Sequence, residues 1–190
     1  TAETAPHYLF LSAEDFPAVG PMMKVYPLIK SKDDQAALWA GLLDGTLDFI
    51  ASDHAPHRIE EKRGSLFKMP SGMCGVETMM PLMLDAVSRG KITLPFVARV
   101  LSQRPAEIYG IERKGKLEIG FDADLVLVDM QKTRPIRNKD LHSKQPLTAF
   151  DGRSITGWPV STYLRGRLIA ADHEIVGDPG GQPAHCRAAV

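Results

Sequence analysis

The stretch from Ser31 to Ser52 constrains the fold most tightly. Ser31 followed by Asp34 has capping-box spacing, Ala36, Leu38, Trp39, Leu42 and Leu43 supply an apolar helical face, and Gly45 supplies a stop. The helix runs almost directly into Leu47–Ser52 (LDFIAS), a short apolar run of the kind that forms a strand buried on both faces. Upstream, residues 22–27 (MMKVYP) read as another buried strand, ended by Pro27. Strand, helix and strand with short connections form the βα repeat of a parallel sheet, so the sequence predicts an α/β fold.

Residues 55–75 show no periodicity and are rich in charge, Gly and Pro. A loop of about twenty residues exceeds what a simple connection needs, and predicts a lid or binding loop. Glu77–Arg89 returns to helix with Gly90 as its stop, and Thr93 caps a further helix, with Pro95 in its first turn, that runs until Pro105. Near Gly115 the character changes. GKLEIGFDADLVLVD (115–129) and VSTYLRGRLIAADHEIV (160–176) alternate like antiparallel strands of a small β layer, with a turn at Gly166. The Gly/Pro-rich end, 178–190, reads as a flexible tail.

Composition excludes several classes. With 23 basic and 23 acidic side chains and 44% hydrophobic residues, the chain is neither disordered nor a general nucleic-acid or membrane-surface binder. No apolar run approaches the ~20 residues of a spanning helix. Two distant cysteines, Cys74 and Cys186, fit a reducing, cytoplasmic setting better than a disulfide scaffold. The sequence begins at Thr1 within a segment that reads as structured, and is expected to be the C-terminal part of a longer chain.

Two short motifs, APHYL (5–9) and SDHAPH (52–57), hold three of the six histidines. Asp53 lies where the LDFIAS strand meets the long loop, the edge of a parallel sheet at which sites are built. A carboxylate there can ligate a metal or take a proton, and a neutral imidazole can supply a nitrogen ligand. The alternative is that Asp53 caps the loop, that His54 and His57 are solvated, and that His7, beside a proline, is structural. Trp39 and the methionines of the 77–89 helix read as core, and His142, His173 and His185 as surface. Glu60, Glu61 and Lys62 read as solvated charges. A nucleotide-binding module is disfavoured, because no Gly-rich phosphate loop follows a predicted strand.

The segments TAETAPHYLFLS, KVYPLIKSKDDQAAL, DGTLDFIASDHAPHRIEEK, GMCGVETMMPLML, GKLEIGFDADLVLVD and SITGWPVSTYLRGRLI, in this order and spacing, resemble the cyclic-amide branch of the amidohydrolase superfamily. The likeness is to the C-terminal part of a dihydroorotase, with allantoinases and hydantoinases as relatives, and it covers the chain to about Gly181. It implies that residues 1–112 are the C-terminal portion of a metal-dependent (β/α)8 TIM-like barrel. Residues 113–177 would be a small antiparallel β domain, with a return to the barrel side around 135–155. The implied cofactor is zinc, binuclear in the intact protein. His7 would be a metal ligand, Asp53 both a metal ligand and the catalytic proton shuttle, and His57 a contact to the substrate. The implied reaction is hydrolysis of a small cyclic amide, reversibly linking dihydroorotate and carbamoyl aspartate in pyrimidine biosynthesis; allantoinase, hydantoinase or dihydropyrimidinase activity is the alternative.

Two departures from the family pattern follow. Tyr26-Pro27-Leu28-Ile29-Lys30 stands where the family has Asn-Pro-Pro-Leu-Arg, so a phenol at Tyr26 replaces a short amide expected to touch substrate. The family's His-x-His pair, bridging lysine carbamate and a further histidine have no match. Residues 1–190 alone are therefore expected to be inactive, and to pair with a missing N-terminal half, self-associate or form a homo-oligomer. A reading of another class is a non-catalytic, dihydroorotase-like assembly domain.

Overall fold

The computed structural model describes residues 1–187; the last three residues of the expected tail, 188–190, lie outside the described residues. The chain packs into two compact units, one of residues 2–82 with 134–155, the other of Thr1 and residues 83–133 with the described residues from Thr156 onward.

In the first unit, β1 (Glu3–Thr4) pairs in parallel with β2 (Phe49–Ile50), with Glu3 opposite Phe49 and Thr4 opposite Ile50. Between them lie α1 (Pro6–Phe10), α2 (Phe16–Val19) and α3 (Lys32–Asp44). The capping box of α3 forms as its spacing requires: Asp34 N donates to Ser31 Oγ at 3.2 Å and Ser31 N to Asp34 Oδ2 at 3.1 Å. Gly45, at φ 89°, takes the left-handed conformation that ends the helix. The buried face of α3 is narrower than its apolar pattern, because Trp39 and Leu42 are buried while Ala36 and Leu43 are exposed. Trp39 turns inward because its indole N–H donates to Leu9 O at 2.7 Å and Phe10 meets its ring edge-on. Leu9, Leu42 and Ile50 complete this core, each contributing about 1.5–3 kcal/mol by removal from water.

Residues 22–27 are not a strand. Met23 and Val25 are buried as an apolar run should be, but Gly20–Met23 is a 3-10 turn. The main-chain groups of Lys24 are spent elsewhere, its N–H on Pro21 O at 3.0 Å and its carbonyl on Gly72 N at 2.8 Å, which leaves no ladder to join. α4 (Val76–Ser88) buries residues 81–86 on every side, despite an internal Pro81.

In the second unit, Thr93 Oγ1 accepts from Phe96 N and starts α5 (Leu94–Ala98), which continues through a π turn into α6 (Arg104–Ile108). Pro105 does not stop this helix, because it falls in the first turn of α6, where a missing N–H is harmless. A four-stranded sheet follows in the order β3 (Leu125–Pro135), β4 (Ser154–Leu164), β5 (Arg167–Ala171) and β6 (Glu174–Ile175), with β4–β5 and β5–β6 antiparallel. Arg165 and Gly166, at φ 48° and 77°, give the turn between β4 and β5 positive φ at both central residues, the conformation that matches strand twist. Residues 115–124 form turns rather than the expected strand, tied by Lys114 to Asp122 at 2.8 Å and to Asp124. No helix among the described residues is long and apolar enough to cross a membrane.

Candidate active site

β1 and β2 end side by side, and each hands the chain to one chemistry-bearing residue. After Thr4, Ala5 is extended and Pro6 opens α1, which turns His7 inward. After Ile50, Ala51 N still donates to Thr4 O at 2.9 Å; two residues later Asp53 leaves the strand direction at φ 45°. A positive φ is sparsely populated for any residue but glycine, and Asp is among the few that tolerate it. The surroundings impose it. A Cβ on Gly75 would lie 2.2 Å from Ser52 O, and one on Gly72 would lie 2.5 Å from Ala55 O, so the returning chain at 72–75 presses on both sides of Asp53. His54 Nδ1 accepts from Gly75 N at 3.2 Å and Val76 N at 3.4 Å, so His54, though exposed, closes the start of α4.

The result is a close pair. His7 Nε2 stands 3.4 Å from Asp53 Oδ2, with His7 2% exposed and the Asp53 side chain 49% exposed. The alignment does not make a hydrogen bond, and His7 Nε2 is buried without a hydrogen-bond partner. Burial pushes the His7 pKa down to about 4, against the opposing pull of the Asp53 charge. The imidazole is therefore neutral at physiological pH, and a neutral, unpartnered ring nitrogen beside a carboxylate is a donor pair suited to a metal ion. Among the described residues no group of three or more His, Cys, Asp or Glu side chains could hold a metal ion, so the pair by itself could offer two donors.

Tyr8 completes the immediate surroundings. Its ring lies 4.2 Å from that of His7, and its hydroxyl donates to Pro27 O at 2.7 Å. Burial and the Asp53 charge raise its pKa to about 12, so it stays a donor. Glu3, Thr4, Tyr8, Tyr26, Lys30 and Asp53 are among the residues lining a cavity of about 690 Å³. Asp53 and Tyr26 thus share one cavity. His57 does not line it: its Nε2 donates to Ser71 O at 2.8 Å and its Nδ1 is 3.7 Å from Glu61 Oε2. Lys62 is buried and donates to Pro70 O, which corrects its reading as a solvated charge. Three residues of this neighbourhood carried no clear signal. Tyr8 follows a histidine in a short motif, Lys24 is one cation within an apolar run, and Lys62 sits in a charged string.

The Amidohydrolase family matches residues 22–169. The chain belongs to that family. It is 44% identical over 182 residues to the dihydroorotase of Methanosarcina acetivorans, covering 95% of this chain and 39% of that protein. It is 39% identical over 180 residues to the dihydroorotase of Pyrococcus furiosus, covering 95% of this chain and 42% of that protein. Among solved structures, the L-hydantoinase (dihydropyrimidinase) of Arthrobacter aurescens superposes with a TM-score of 0.89 at 34% identity, over 93% of this chain and 40% of that one. The dihydropyrimidinase of Brevibacillus agri gives 0.84 at 29% identity, over 92% and 40%. The chain thus spans about 40% of the length of the relatives it matches.

Proposed function

We propose that, in the whole protein, His7 and Asp53 belong to the centre of a metal-dependent cyclic amide hydrolase of dihydroorotase type, interconverting dihydroorotate and carbamoyl aspartate in pyrimidine biosynthesis. The observation that carries this reading is the buried, unpartnered Nε2 of His7 standing 3.4 Å from Asp53. The 44% identity to a dihydroorotase supports the choice of reaction. Residues 1–112 would then be part of a (β/α)8 barrel, residues 113–177 a small β domain and 178–190 a tail, in a cytoplasmic homo-oligomer.

His7 and Asp53 would hold zinc, with the remaining donors of a binuclear centre supplied from outside residues 1–187. Bound zinc supplies Lewis acidity that makes a water nucleophilic near neutral pH. The exposed carboxylate of Asp53 faces the cavity, takes the proton from the attacking water and delivers it to the departing amide nitrogen. His7, kept neutral by burial, does not compete for that proton. Tyr8 holds the 26–30 segment by its bond to Pro27, so that Tyr26, on the cavity wall, would meet the substituent of the ring; His57, outside the cavity lining, would contact it from the 55–75 loop.

One observation favours hydantoinase or dihydropyrimidinase activity instead: Tyr26 places a phenol on the cavity wall, a better neighbour for an apolar or aromatic substituent than for a carboxylate. The test is kcat/KM of the whole protein for dihydroorotate and for a 5-substituted hydantoin, before and after Asp53→Ala. A preference for dihydroorotate and a loss of roughly a thousandfold or more in the folded variant are expected. A hydantoin preference selects the second reading. A folded Asp53→Ala protein that keeps over about a tenth of the activity removes Asp53 from the chemistry. Turnover of neither ring favours a non-catalytic assembly domain.

A further inference from the structure

The 55–75 loop has no helix or strand of its own, yet it closes on two buried ammonium groups. Lys24 and Lys62 are 8% and 6% exposed. Lys24 Nζ donates to Leu66 O at 2.8 Å and to Met69 O, and Lys62 Nζ donates to Pro70 O at 3.0 Å. The carbonyl of Lys24 accepts from Gly72 N at 2.8 Å, and its ammonium lies 5.7 Å from the centroid of the Tyr26 ring. Among the described residues neither lysine pairs with a carboxylate. Burying two like charges this way is costly, and a methionine in either place would fill similar space without the desolvation. In return, three carbonyls of a loop without a ladder gain strong donors, and the loop is fixed at several points.

The fixed points lie beside Tyr26, which is on the cavity wall, and His57, which stands outside its lining on the same loop. Leu66–Pro70, fastened by the ammonium groups, leads directly into Ser71, whose carbonyl sets the ring of His57, and into Met73, whose carbonyl accepts from Ala55 N at 3.0 Å. Lys24 is two residues from Tyr26. Neither lysine lines the cavity. We propose that Lys24 and Lys62 are positioning residues for substrate selection, locking the loop that carries His57 to the segment that carries Tyr26. The proposal rests on the reading of this site as a cyclic amide hydrolase. Burial, with the charge of Lys24 close by, holds the Lys62 ammonium below its ordinary pKa, as two cations sharing one dry site require.

The experiment uses the whole protein with Lys24→Met and Lys62→Met, each alone and combined with His57→Ala. In the single variants KM for a carboxylate-bearing ring rises about tenfold while kcat stays within about threefold. In the His57→Ala background the same lysine change adds less than about twofold, because it acts through His57. Amide hydrogen exchange of peptides within 55–75 accelerates about tenfold at an unchanged global denaturation midpoint. An unchanged KM, or fully additive effects with His57→Ala, overturns the proposal. Should the methionine variants fail to fold, Lys24→Arg and Lys62→Arg, which keep charge and donors, decide: KM within about threefold of the parent is expected, and a tenfold rise in a folded protein overturns the lock. If the parent turns over no cyclic amide, the hydrolase reading fails by itself. The exchange comparison still judges the lock, and unchanged exchange in the methionine variants overturns it.

Discussion

The imidazole of His7 carries a stability consequence that can be measured apart from catalysis. Its pKa falls from 6.5 to about 4 on folding, chiefly through burial, so between these values the unfolded chain binds more protons than the folded one. Stability therefore rises with pH across that window and is lost as pH falls from about 6.5 toward 4. By linkage the loss amounts to about 3 kcal/mol. In chelator-treated protein, His7→Gln should flatten the slope of the urea midpoint between pH 6.5 and 4 relative to the parent. Equal slopes would mean that His7 is not buried neutral. APHYL shows His7 locally only as a histidine after a proline, and its partnership with Asp53 spans 46 residues and came only through resemblance. The substrate contact expected at His57 illustrates the same limit: its histidine is legible, while its bond to Ser71 depends on how a long loop returns.

Elements whose start and stop are written locally were legible, and elements whose backbone bonds are settled at long range were not. Ser31, Asp34 and Gly45 lie within one helix and its caps, and α3 forms between them. The run 22–27 offers the right apolarity, but the hydrogen bonds that deny it a strand come from Pro21 and Gly72. The tight approach of Gly75 to Ser52 is likewise invisible in a segment with no periodicity. These two classes differ in mutational response. Ser31→Ala removes one cap and should cost about 1 kcal/mol, with activity of the whole protein unchanged. Gly75→Ala forces a methyl against the carbonyl of Ser52, the residue before Asp53, and should cost roughly 2 kcal/mol or more while lowering kcat at least about tenfold. Chemical denaturation and steady-state rates on both variants check the contrast. A Gly75→Ala protein with parental kcat would show that the 72–75 segment does not hold Asp53 in place.

At the scale of the whole chain, the sheet that carries the site is the least self-sufficient part. β1 and β2 form a two-stranded parallel pair, whereas parallel sheets are stable when both faces and both edges are covered. Tyr26, Leu28 and Phe67 are exposed on the same unit, and Leu117 and Ile119 on the other, which leaves apolar surface in both. A formal net charge of zero at pH 7 supplies little repulsion to keep copies apart. Unpaired strand edges and apolar surface without a charge barrier are the conditions for association. Residues 1–190 expressed alone are therefore expected to sediment as concentration-dependent oligomers. Co-expression with the rest of the protein should replace that association by a defined species. The two outcomes separate by sedimentation velocity across a tenfold range of loading, and the sheet edge can be probed directly by placing lysine at Glu3, whose neighbour Thr4 pairs with Ile50. A compact, reversible monomer at every loading would mean that the β1–β2 pair and the exposed apolar residues need no further cover.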